Sequence, residues 1–271
     1  EEDSPLRTVG SRRREVGRMM PSRSIPGRLQ RALFGPGGLN LSGRILHSEG
    51  AWPLGAVILV FLAGEILPSL LLAVIDSSTR VAVPLGVMIL VQPLAVLLIV
   101  WLANPFRSRP PVRILPVDVR WRQLVTYALI WGIFLRLISV AVVMIQMLVG
   151  VWAEVTNNPL LLTEHPLSAF QQALVVLSAV LLVPAAEEVF YRGILYHALG
   201  RYFGLAGAAV ISTTVWTLLH GSIVLFPAIF VLGILLVLLY ESTESIWPPI
   251  AAHVGFNLTS FVLLWLLPGL A

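Results

Sequence analysis

The chain has no cysteine and no lysine. The first absence excludes disulfides, a thiolate nucleophile and any cysteine-ligated metal. The second leaves arginine to supply all 18 basic residues. That bias fits a GC-rich coding sequence better than a nucleic-acid partner, and no nucleic acid is expected. Charge is scarce: 12% of the 271 residues are charged and 57% are hydrophobic. A soluble domain carries about 25% charged residues. Period-2 alternation is missing too, which excludes a membrane β-barrel. Neither a G-x-S-x-G elbow nor an H-E-x-x-H helix is present, so the common serine-hydrolase and zincin arrangements are excluded. The first 50 residues hold no apolar region of a secretory signal.

What the chain does have is a series of apolar runs: 51–75, 81–103, 122–150, 168–200, 205–221, 223–240 and 247–268. A membrane-crossing helix needs about 20 residues. The fold class is therefore all-α, a polytopic membrane helical bundle with seven or eight transmembrane segments. Run 168–200 is either one long helix or two pieces broken near Pro184. Residues 51–268 read as one domain, and residues 1–50 as a basic, disordered cytoplasmic tail with nine arginines. Loop 104–121 carries Arg107, Arg109, Arg113 and Arg120, whereas loop 151–167 has Glu154 and Glu164 and no arginine. The positive-inside rule places 1–50 and 104–121 in the cytoplasm and 151–167 outside.

The candidate functional residues are the ionisable ones inside apolar runs: Glu65, Arg136, Glu187, Glu188, Arg192, His197, His220 and His253. A carboxylate at bilayer depth costs at least ~2.5–3.5 kcal/mol, so each needs a partner or a function. Glu188 and Arg192 are four apart and share a helix face, where they can neutralise each other. Glu187 is offset by about 100° and is free to face a cavity. Trp216 and His220 are also one turn apart, as are His253 and Asn257. Glu65 and Arg136 either pair between early helices or line the substrate cavity. His197 is expected at the cytoplasmic interface.

These groups make a set with chemical meaning. A carboxylate and a histidine can activate water, directly or through a metal. A second histidine and an amide can donate to a developing oxyanion. A proton or ion path in a transporter would use the same buried carboxylates. The matching broken segments of a two-half transporter are not visible in the sequence.

The run Glu187-Glu188-x-x-x-Arg192, the aromatic-x-x-x-His at Trp216–His220 and His253-x-x-x-Asn257 resemble the three motifs of the CAAX protease and bacteriocin-processing (CPBP) family. These are intramembrane endopeptidases, related to the type II CAAX prenyl endopeptidase. The resemblance covers residues 168–260, with Trp216 where phenylalanine is more usual. It implies that Glu187 and His220 position and activate the attacking water. His253 and Asn257 would form the oxyanion site, with Glu188 and Arg192 supporting. The family is often called metalloprotease. Glu187, His220 and His253 would supply three zinc ligands with water as the fourth, and the same residues would also serve a metal-free water.

The expected function is hydrolysis of a peptide bond in a membrane-associated or lipid-anchored protein or peptide. The expected location is the cytoplasmic (inner) membrane of a bacterium, with the N-terminus cytoplasmic. No organic cofactor is expected. The alternatives are a non-catalytic immunity or scaffold protein and a proton- or ion-coupled transporter.

Overall fold

The computed structural model describes residues 52–79, 85–103, 121–151, 168–243 and 245–266. The proposed tail 1–50, the arginine loop 104–121 and nearly all of the acidic loop 151–167 lie outside the described residues. Among the described residues six helical elements follow one another: α1 Leu54–Thr79, α2 Leu85–Ala103, α3 Trp121–Leu148, α4 Ala169–Leu218, α5 Phe226–Thr243 and α6 Trp247–Leu266. No strand occurs among the described residues.

Each element except α4, which spans two, coincides with an apolar run to within a few residues, because burial of the backbone in hydrocarbon permits little but helix. Four of them are long and apolar enough to cross a membrane: α1, α3, α4 and α5. The seven or eight crossings expected from the runs are not reached on this measure. The difference lies partly in α4, whose 50 residues would extend about 75 Å as a straight helix. Gly204 breaks it, with φ 65° and ψ 179°. That left-handed φ suits glycine alone. The two arms, 169–203 and 205–218, match the two apolar runs at this place. Pro184 does not break the helix. It sits between two π-helical turns, Ser178–Leu182 and Glu188–Leu195.

The surface of the bundle is largely apolar, and charged groups are buried within an otherwise hydrophobic interior. Leu59, Trp101, Leu148 and Trp265 are all exposed, whereas Glu65, Glu188, Arg192 and His253 are buried. That distribution suits a hydrocarbon surround. Trp121 opens α3 on the exposed side and Trp265 lies near the end of α6, as interfacial aromatics do.

Close helix crossings come from small residues. Ala128 and Gly132 lie one turn apart on α3, and Ala251 and Gly255 one turn apart on α6. A Cβ on Gly132 would stand 2.5 Å from the Gly255 carbonyl carbon, and one on Gly255 would collide with the Ala128 carbonyl oxygen. The two backbones touch, and only small residues allow it. Arg136 then secures α3 to α6. Its Nη2 donates to the Phe256 carbonyl at 3.1 Å, and its guanidinium lies 3.8 Å from the Phe256 ring centroid.

The start of α4 has a capping box. The Ser168 hydroxyl accepts from Gln171 N, and the Gln171 side chain accepts from Ser168 N. This fixes where the helix begins.

Candidate active site

The first motif occupies α4 just after Pro184. Glu188 is fully buried, and its Oε1 accepts from Arg192 Nη1 at 3.0 Å. The expected i,i+4 pair is therefore formed. The same oxygen accepts from His253 Nδ1 at 2.9 Å. Arg192 has two further partners. Its Nη2 donates to the Gly233 carbonyl at 3.3 Å, and its guanidinium stacks 4.5 Å over Trp216. Gly233 makes this possible, since a Cβ there would stand 3.0 Å from the Trp216 ring. One buried arginine thus ties α4 to α5 while neutralising Glu188.

Glu187 is placed differently. Its side chain keeps 20% exposure, and its Oε2 lies 3.8 Å from His253 Nε2. It makes no ion pair with Arg192 among the described residues. The two adjacent glutamates therefore have separate partners, as the 100° offset requires.

His253 joins them. A carboxylate oxygen can only accept, so the bond to Glu188 keeps the His253 proton on Nδ1. Nε2 is left with its lone pair toward Glu187. The 3.8 Å gap is too long for a direct hydrogen bond. A water seated to one side of the pair could bond to both groups.

His220 lies past the end of the α4 span, in the connection to α5. Its Nδ1 donates to the Trp216 carbonyl at 2.9 Å, leaving Nε2 as an acceptor. Burial holds its imidazole below the ordinary histidine range, against the raising effect of that carbonyl. His220 and His253 both pack edge-on against Trp216, at 4.9 and 5.6 Å between ring centroids. His220 makes no hydrogen bond or ion pair with Glu187; the histidine beside Glu187 is His253. Trp216 Nε1 is buried beside the Glu187 carboxylate but makes no hydrogen bond of normal geometry.

Asn257 lies one turn beyond His253 on α6. Its Nδ2 donates to the Ala179 carbonyl at 2.8 Å. One amide hydrogen is thereby engaged, and the other is available to a ligand.

The zinc expectation can be set against this arrangement. Among the described residues, no group of three His, Asp or Glu side chains is placed to hold a metal ion. Glu187, His220 and His253 as positioned do not make a ligand set.

Other expectations are revised. Glu65 does not pair with Arg136. It is buried in a π-helical turn, Leu62–Ile66, and accepts from Gln92 Nε2 of α2. Its carboxylate lies within electrostatic reach of Glu187 and Tyr191. Phe61, one turn earlier, stacks on Phe190 at 5.9 Å, which brings this face of α1 to the first motif. His197 is buried. Its ring bridges the Arg192 carbonyl at 3.1 Å and the Tyr240 hydroxyl at 3.2 Å. Gln92 went unnoticed in the sequence. The available signal was a long amide side chain within an apolar run.

The family model for type II CAAX prenyl endopeptidase, Rce1-like, matches residues 169–259. That interval holds all three motifs and supports assignment of this part of the chain to the CAAX-protease family. No curated protein and no solved structure matches the chain.

Proposed function

We propose that this membrane protein, whose residues 169–259 fit the type II CAAX endopeptidase family, is an intramembrane endopeptidase acting through a water held between Glu187 and His253. The observation that carries the reading is the division of labour between the two glutamates. Glu188 is fully buried, with one oxygen, Oε1, engaged by both Arg192 and His253. Glu187 keeps part of its surface open and has an imidazole nitrogen 3.8 Å from its Oε2.

In the proposed reaction, Glu187 takes a proton from the bridging water, and the resulting hydroxide attacks a peptide carbonyl. The proton passes to His253 Nε2. The imidazolium so formed donates to the developing oxyanion and then protonates the leaving amine. Glu188 stabilises that imidazolium through Nδ1, as an orienting carboxylate does. The second Asn257 hydrogen would add to the oxyanion site. His220, neutral and packed on Trp216, would accept a hydrogen bond from the entering peptide or water. The side chains as placed offer zinc no ligand set, and no step runs through it.

The substrate class would be a membrane-associated or lipid-anchored protein or peptide. The site lies among apolar helices, which fits a substrate held at the membrane. The location proposed is the cytoplasmic membrane of a bacterium, and the arginine distribution favours an N-terminus on the inside.

The test uses the purified full chain in liposomes with a library of lipid-anchored peptides, read by mass spectrometry. Cleavage by the native chain and its loss in Glu187→Gln is the expected result. A Glu187→Gln variant that cleaves at the native rate, or a native chain that cleaves no member of the library, would sink the proposal.

A further inference from the structure

Asn257 has a partner that its place in the third motif does not explain. In the π-helical turn Ser178–Leu182, the Val183 N–H reaches back five residues to the Ser178 carbonyl. The next carbonyl, that of Ala179, would be served by the N–H of residue 184 in the same register. Residue 184 is proline and has none. In the α register the donor would be Val183, already engaged with Ser178. The Ala179 carbonyl is therefore left without a helical donor, at a buried position. Such an acceptor in apolar surroundings is costly. Asn257 Nδ2 fills the vacancy at 2.8 Å.

We propose that Asn257 is a positioning residue. Its amide closes the gap that Pro184 opens in α4 and clips α6 to that point. His253, one turn back on α6, then meets Glu188 at 2.9 Å and Glu187 at 3.8 Å. Two attachments, Asn257 to Ala179 and His253 to Glu188, run antiparallel along the same pair of elements. One alone would let α6 slide or rotate. Both together fix the register at which the imidazole faces the glutamates. The proposal rests on backbone hydrogen bonding and stands whether or not the chain is a peptidase.

A specific non-additivity follows. Pro184→Ala restores an N–H at residue 184, which can serve the Ala179 carbonyl, so Asn257 should become dispensable for folding. The experiment is a double-mutant cycle on the full chain in detergent micelles, read by thermal unfolding. Asn257→Ala should lower Tm by about 5 °C in the native background. In the Pro184→Ala background the same substitution should lower it by less than half as much. Hydrogen exchange adds a readout that a general packing role would not move. The amide that Pro184→Ala introduces should gain protection when Asn257→Ala is also present. Equal Tm shifts in both backgrounds would overturn the proposal, as would no shift in the native one. Should Asn257→Ala alone fail to fold, the double variant must fold. A double variant that also fails, or a Pro184→Ala chain that cannot fold, counts against the clip.

Discussion

Replacing Arg192 by methionine tests the centre of the structure most directly. The side chain is fully buried, 3.0 Å from Glu188 Oε1, 3.3 Å from the Gly233 carbonyl and stacked over Trp216. Methionine keeps much of the volume and removes the charge. Removing one partner of a buried ion pair costs about 3–5 kcal/mol, because the other charge remains in the interior. The contacts to Gly233 and Trp216 belong to the same guanidinium and do not add independently. The expected loss is therefore about 3–5 kcal/mol, a fall in Tm of about 6–20 °C for a chain of this size. Adding Glu188→Gln removes the stranded charge while keeping an acceptor for His253 Nδ1. The double variant should recover at least half of the loss. Thermal unfolding in micelles, followed by tryptophan fluorescence, measures both. A loss below ~1 kcal/mol for Arg192→Met, or a double variant no better than the single one, would refute the account of Arg192 as the neutralising partner.

The two glutamates should separate in the same assay. Glu187→Gln should leave stability within ~1 kcal/mol of native and reduce peptide cleavage by at least about 10²-fold, whereas Glu188→Gln leaves the Arg192 charge buried and should cost about 3–5 kcal/mol of stability. Gly255→Ala drives a Cβ into the Ala128 carbonyl and should cost about 1–3 kcal/mol by overpacking. The matched control is Gly55→Ala, whose Cβ meets nothing within 4 Å; its Tm should hold or rise. Ser168→Ala removes the capping box of α4 and should cost about 1 kcal/mol, detected as a Tm shift with cleavage retained.

Much of this arrangement can be read in the amino-acid order. Long apolar runs specify helices because hydrocarbon leaves the backbone no other way to pair. The i,i+4 spacing of Glu188 and Arg192 specifies their pairing, and the adjacency of Glu187 and Glu188 specifies different faces. The gap between the runs 168–200 and 205–221 marks the break in α4 at Gly204, whereas Pro184, the candidate break, leaves the helix continuous. The partners across elements are not legible in that way. Nothing local tells that Gln92 meets Glu65, or that His197 meets Tyr240, since both contacts depend on how helices cross. Glu65 and Arg136 are the natural pair by charge alone, yet Arg136 is drawn to the Phe256 ring and carbonyl. Straight helices would put Glu187, His220 and His253 at different depths. The structure brings Glu187 to His253 through two π-helical turns that no residue pattern announces.

Those widened turns have an evolutionary consequence. A π-helical turn is an α-helix carrying one surplus residue, so it records an insertion that the fold has absorbed. Four such turns occur among the described residues, at Leu62–Ile66, Tyr127–Trp131, Ser178–Leu182 and Glu188–Leu195. Deleting a single residue from Ser178–Leu182 would let that turn relax to α while the segments on either side keep nearly their present facing. The same deletion in a regular α stretch would turn everything on one side of it by about 100°. The chain should therefore tolerate a one-residue deletion at these four places better than in the α stretches beside them. A deletion scan would pick them out as the positions inside the helices where length can change by one.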